Sequence, residues 1–172
     1  MPAQQENFLR IEFMQHIHAL TADSPSRWGK MNVQQMIEHL GGDAFRTASG
    51  RLVFEKILTA PEMLGRMRAF MMSEKPFKEN IANPLMGVNP LPLRYKTVQG
   101  AIGALQQELI NFFEVFEKNP LLITRNPFYG DLNFDENVQL LYKHALHHLR
   151  QFGVEPLRIS PGESLQYRFF HF

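Results

Sequence analysis

Two histidines four residues apart, His144 and His148, are the side chains in this sequence best spaced to do chemistry. On a helix they lie on one face, one turn apart, and two imidazoles so placed can reach a single metal ion. At about 100° per residue, His144 falls at about −60° and His148 at about −20° from Leu141. Both sit in the apolar half of the wheel with Leu141, Ala145 and Phe152. His147 falls near −120°, at the edge of the polar face with Lys143 and Arg150 behind it. That position suits a surface residue or a support for the ligands better than a ligand.

Imidazoles turned into a core need a hydrogen-bond or metal partner, because a buried polar group without one is costly. A third candidate stands far away in sequence: His39, three residues after Met36 and next to Leu40. Spacing leaves it open, since two sequence-distant helices need not meet and an inward histidine is ordinarily a satisfied core residue. Three neutral imidazoles with an open fourth position would suit catalytic zinc, and nickel or iron as well. Asp43, one turn after His39, is either an acceptor for an imidazole N–H or a solvated helix residue. Glu108 is a candidate acid or the edge of a buried face. Arg46 and Arg150 are candidates for binding a substrate carboxylate, with a solvent-facing role the simpler reading of Arg150. Met36, Met63, Met67 and Met71 read as core filling. His16 and His18, two apart, share no helix face, and neither they nor His171 receive a role.

Four helices must position these residues. The first is expected over about 5–21, with Leu9, Phe13, Ile17 and Leu20 at helical spacing, ending in the turn-rich Asp23-Ser24-Pro25-Ser26. The second, about 32–49, opens at Asn32 with Gln35 completing a capping-box pattern; Gly41-Gly42 weakens it locally and Gly50 is a plausible stop. The third, about 97–118, carries Ile102, Leu105, Leu109, Phe112 and Phe116. The fourth, about 134–152, has Asn133 and Glu136 as a second capping box and Gly153 as its stop.

Between the second and third runs a connection, 51–96, whose five prolines exclude one regular element. Pro61 suits the first turn of a short helix with methionines on its inner side, and a connection this long often forms a lid or one wall of a site. The aromatic tail, 154–172, is expected to pack on the bundle or on a partner subunit. No strand alternation competes, so the expectation is an all-α, single-domain four-helix bundle.

Composition bounds the function. The 172 residues suffice for one domain with a real core, and fifteen phenylalanines with 44% hydrophobic residues exclude a disordered chain. A net charge of +1 without a basic run argues against nucleic acid or an anionic membrane as partner. The absence of cysteine removes disulfides, thiolate ligands and a cysteine nucleophile. The opening MPAQQENFLRIEF lacks a signal-peptide layout and no run approaches the ~20 apolar residues of a membrane helix, so a cytoplasmic protein is expected.

The stretch His144-x-x-His147-His148-x-x-Gln151, with Met36-Ile37-Glu38-His39-Leu40 upstream, resembles the DinB-like (YfiT-like) metal-dependent superfamily. Two larger blocks, SPSRWGKMNVQQMIEHL and NPFYGDL followed by YKHALHHLRQFGV, look like a branch of it catalogued as a domain of unknown function. The resemblance implies a DinB/YfiT-like four-helix bundle with a long, partly irregular connection between its second and third helices. It implies His39, His144 and His148 as ligands of one divalent metal, zinc or nickel first and iron or manganese next. It places Gln151 at the position after the ligand motif, so Asp43, His147 and Gln151 are the candidates for supporting the ligands. Characterised members include transferases and isomerases that use low-molecular-weight thiols, which implies a metal-dependent thiol transferase, or a hydrolase, acting on a small molecule, and members often pair as homodimers. The alternative is a metal-stabilised binding or stress-response protein without turnover. The connection and the tail resemble the family poorly, so nothing is carried over to them.

Overall fold

The computed structural model describes residues 2–81, 84, 85, 87 and 89–156, and the aromatic tail from 157 onward lies outside them. Among the described residues the chain is mostly helical, with five helices and one small antiparallel hairpin. Helix α1 spans 2–18 and α2 spans 33–48; α3 is Pro61–Met72, α4 Val98–Lys118 and α5 Phe134–Gln151. The hairpin joins β1, Thr124–Asn126, to β2, Gly130–Leu132, just before α5.

The starts of α2, α3 and α5 are those the sequence marks. Asn32 accepts from the Gln35 amide while the Gln35 side chain accepts from the Asn32 amide, and Asn133 with Glu136 repeats the arrangement. The Thr97 hydroxyl accepts from the Gly100 amide to open α4, Pro61 occupies the first turn of α3, and Gly153, at φ +80°, follows α5. Helix α1 begins and ends about three residues earlier than the spacing suggests, with Leu20 still buried beyond it.

Two helices depart from α geometry, and only in the second did the sequence suggest even a weak spot. Phe8–Glu12 in α1 and Leu40–Phe45 in α2 are π-helical. In α1 the buried positions Gln5, Leu9, Phe13 and Ile17 are each four apart, as are Val33, Ile37, Gly41 and Phe45 in α2. Four residues turn an α-helix about 400°, so such a stripe drifts by about 40° per step. A wider π turn takes back that drift and keeps the stripe on the core. Gly41 adds a second reason in α2, because a Cβ there would lie 3.1 Å from Leu105 Cα where α2 and α4 approach.

Helices α1, α2, α4 and α5 share one apolar core, with Phe13, Phe45 and Phe112 fully buried and in ring contact in that order. A smaller cluster of Met71, Tyr129, Leu132 and Leu140 joins α3 and the hairpin to α5. This corrects the reading of the methionines: Met36 and Met71 are fully buried, but Met63 is 41% exposed because α3 covers α5 with one side only. The hairpin is also a correction. The Asn126 side chain accepts from the amides of Phe128 and Tyr129, Gly130 takes φ +80°, and Arg125 faces Asp131 across the pair in a two-bond ion pair. No helix among the described residues is long and apolar enough to cross a membrane.

Candidate metal centre

Helices α2 and α5 bring His39, His144 and His148 together, although 105 residues separate the first two. The Nε2 atom of His144 lies 3.2 Å from Nε2 of His39 and 3.0 Å from Nε2 of His148. Nitrogens that share a tetrahedral zinc at about 2.0–2.1 Å are about 3.3–3.4 Å apart, so these separations are within a few tenths of an ångström of a ligand set. His148 is buried, and His39 and His144 are partly exposed.

The ring orientations are fixed from outside the cluster. His39 Nδ1 is 3.0 Å from Oδ2 of Asp43, a carboxylate that can only accept, so this nitrogen carries the proton. Gln151 donates its amide to the Trp28 carbonyl at 2.9 Å, which turns its oxygen to His148, whose Nδ1 donates at 2.8 Å. His39 and His148 therefore present bare Nε2 lone pairs to the centre. A single N–H on His144 could satisfy one of them, and a cation could satisfy all three nitrogens. The residues present thus fit one divalent ion.

Burial first, and nearby histidines second, hold the pKa of His144 and His148 well below the ordinary value, which keeps them in the neutral form that ligates. Burial opposes ionisation of Asp43, but hydrogen bonds from His39 and Arg94 outweigh it and lower the carboxyl pKa.

Two glycines make these supports possible. Gly29 takes φ +76°, and a Cβ there would sit 2.7 Å from the Gln151 amide nitrogen. The Arg27 amide donates to the Gln151 carbonyl at 2.7 Å, so the turn before α2 wraps the end of α5. At Gly42 a Cβ would lie 1.8 Å from Nη1 of Arg94, whose Nη2 donates to Oδ1 of Asp43 at 2.9 Å. The bare backbone at 42 is what lets a guanidinium from the long connection reach the carboxylate behind His39.

The remaining candidates fall elsewhere. His147 packs between Trp28 and Phe77, with ring centres 5.7 and 5.9 Å away, and does not join the three converging nitrogens. Glu108 holds Arg51 at 2.9 Å, away from the histidines. Arg150 pairs with Glu155 at 3.3 Å on the surface.

Two residues were not legible as parts of this region. Lys143, on the polar side of the wheel, is buried; its Nζ donates to the carbonyls of Phe70 and Ser73 at the end of α3, and burial pushes its pKa down to about 8. Glu38, next to His39, accepts from the amides of Arg94 and Tyr95 at 2.6 and 3.2 Å and pins the connection to α2. Their partners lie 56 or more residues away, and nothing local signals them.

The connection forms one wall of the site, as its length suggested. Phe77 meets His144 and His147 edge-on, and Pro90, Leu91, Pro92 and Arg94 close the side of His39. No family model matches this chain, and neither a curated protein nor a solved structure matches it.

Proposed function

We propose that this chain is a metal-binding protein of DinB-like type, a bundle of α1, α2, α4 and α5 in which His39, His144 and His148 hold one divalent ion. Zinc and nickel are the first choices, then iron and manganese. We further propose that it is a cytoplasmic, metal-dependent transferase joining a low-molecular-weight thiol to a small electrophile. The observation that carries the reading is the convergence of three imidazole nitrogens, with Nε2 of His144 at 3.2 and 3.0 Å from Nε2 of His39 and His148.

A divalent ion bound there supplies a Lewis-acid position that acidifies a thiol or water. The chain does the rest. Asp43 and Gln151 fix the tautomer and direction of two imidazoles and raise their basicity. Arg94 balances the charge of Asp43, and Phe77 shields the outer edge of His144.

One observation favours a second reading, a metal-stabilised binding protein without turnover. The space beside His39, under Pro90 to Arg94, is only ≈ 20 Å³. That is about the room one water needs and suits a closed site better than an open one.

The test loads apo-protein with zinc, nickel, manganese or iron, measures bound metal, and assays each form for conjugation of a model electrophile with several small thiols. The transferase reading expects about one equivalent of metal, its loss in His148→Ala, and turnover with at least one metal–thiol pair. Full metal occupancy without turnover would transfer the case to the second reading, and no retained metal would sink both.

A further inference from the structure

The long connection walls the histidine cluster on two sides, and the two walls are held differently. The wall over His39, residues 90–95, is tied to α2 along its length. Gln35 donates to the Leu91 carbonyl, Glu38 accepts from the amides of Arg94 and Tyr95, and Arg94 pairs with Asp43. Farther along, Arg46 of α2 and Arg51 share Glu108 and take no part in either wall. The wall over His144 is residues 73–80. Among the described residues no backbone hydrogen bond joins 74–79 to another element, and Glu74, Lys75, Pro76, Lys78 and Glu79 are exposed. Of this stretch only Phe77 is half-buried, its ring centre 6.1 Å from His144 and 5.9 Å from His147. A segment with so few buried contacts opens far more readily than one bonded along its length.

Its two ends are fastened. Asn80, at φ +56°, accepts from the Gly29 amide at 3.2 Å, in the turn whose Trp28 carbonyl holds Gln151. At the other end Lys143 is buried, with its Nζ donating to the carbonyls of Phe70, Met71 and Ser73 where α3 stops. The same ammonium lies 4.0 Å from the ring centre of Phe70 and 5.5 Å from that of Phe77. Packing alone would be served as well by a methionine, without the desolvation of a charge. What the ammonium adds is direction, because it gathers carbonyls that have no partner within their own helix.

We propose that Lys143 is a positioning residue: by capping α3 it holds 73–80 as a strap, with Phe77 as the plug over His144, and the strap is the entrance through which a small molecule reaches the three histidines. What the entrance serves rests on the metal reading above; that it opens does not.

Acylation of the histidines by diethyl pyrocarbonate, followed residue by residue by mass spectrometry on the metal-free full chain, tests this. In Phe77→Ala and in Lys143→Met, His144 and His147 should react about ten-fold faster than in wild type, the size expected for loss of a charged hydrogen bond at Lys143. Phe77→Leu keeps a plug and should stay close to wild type. His39, under the tied wall, and His18, exposed on α1, should keep their rates in every variant. An unchanged rate at His144 in either Phe77→Ala or Lys143→Met overturns the proposal, and so does a rise shared by His39, which is what general loosening of the fold would give. The measurement contains no metal, so its failure is distinct from failure of the metal reading, which zinc retention by the wild type decides.

Discussion

An imidazole does not choose which of its nitrogens is bare; at His39 and His148 a neighbour makes the choice. Asp43 and Gln151 do so through single hydrogen bonds of 3.0 and 2.8 Å. Replacing either by Ala should weaken metal binding by roughly 10–100-fold while leaving the helices folded. Competition with a chromophoric chelator measures this, and unchanged affinity in both variants would refute the assigned role. The same burial that exposes lone pairs to one another makes the apo-protein sensitive to acid. The pKa values of His144 and His148 are held well below 6.5 in the folded chain, so below about pH 6.5 the unfolded chain binds more protons. Stability due to the neutral imidazoles is complete above that pH and is lost as pH falls below it, by about 1.4 kcal/mol per pH unit for each histidine. Urea titrations of apo-protein at about pH 7 and about pH 5.5 should show the loss, and a His144→Leu/His148→Leu double variant should lose less. Equal slopes for the two proteins would contradict it.

At the scale of elements, the turn before α2 and the end of α5 form one unit around the Gln151 amide. Gly29→Ala should therefore cost about 1–2 kcal/mol for the left-handed backbone alone. It should also release His148 by displacing Gln151, read together as a lower unfolding midpoint and weaker metal binding. A midpoint that falls with metal affinity intact would separate the turn from the site. Much at this scale is legible in the sequence, since capping side chains act within three residues and Asn32, Asn133 and Gly153 do what their neighbours imply. What is not legible is non-local. The wheel puts Lys143 on the polar side, and it is buried because it caps a helix packed on that side. Three-residue strands are too short for alternation to register, so the hairpin is invisible until Asn126 and Gly130 are seen to fold it. The π turns follow from a strict four-residue stripe that reads, without the core in view, as an ordinary helix.

For the whole molecule, the site is a clasp between α2 and α5, so metal that binds only the folded chain raises its stability by mass action. At free metal one hundred times the dissociation constant the gain is about 2.7 kcal/mol. For a chain of this size that is a rise of roughly 5–10 °C in unfolding temperature. Thermal unfolding with and without zinc checks it; a rise of the same size in His148→Ala would assign the effect to metal bound elsewhere. The π segment of α2 separates His39, before it, from Arg46, after it. A π turn is in effect an α-helix carrying one residue too many. Removing one residue from Leu40–Phe45 would restore α geometry and leave everything beyond it turned much as before relative to His39, because the wide turn already absorbs the extra residue. Deletion of a single residue within this segment, unlike one elsewhere in the helix, is therefore a change by which a sequence of this kind could keep both its three imidazoles and the direction of Arg46.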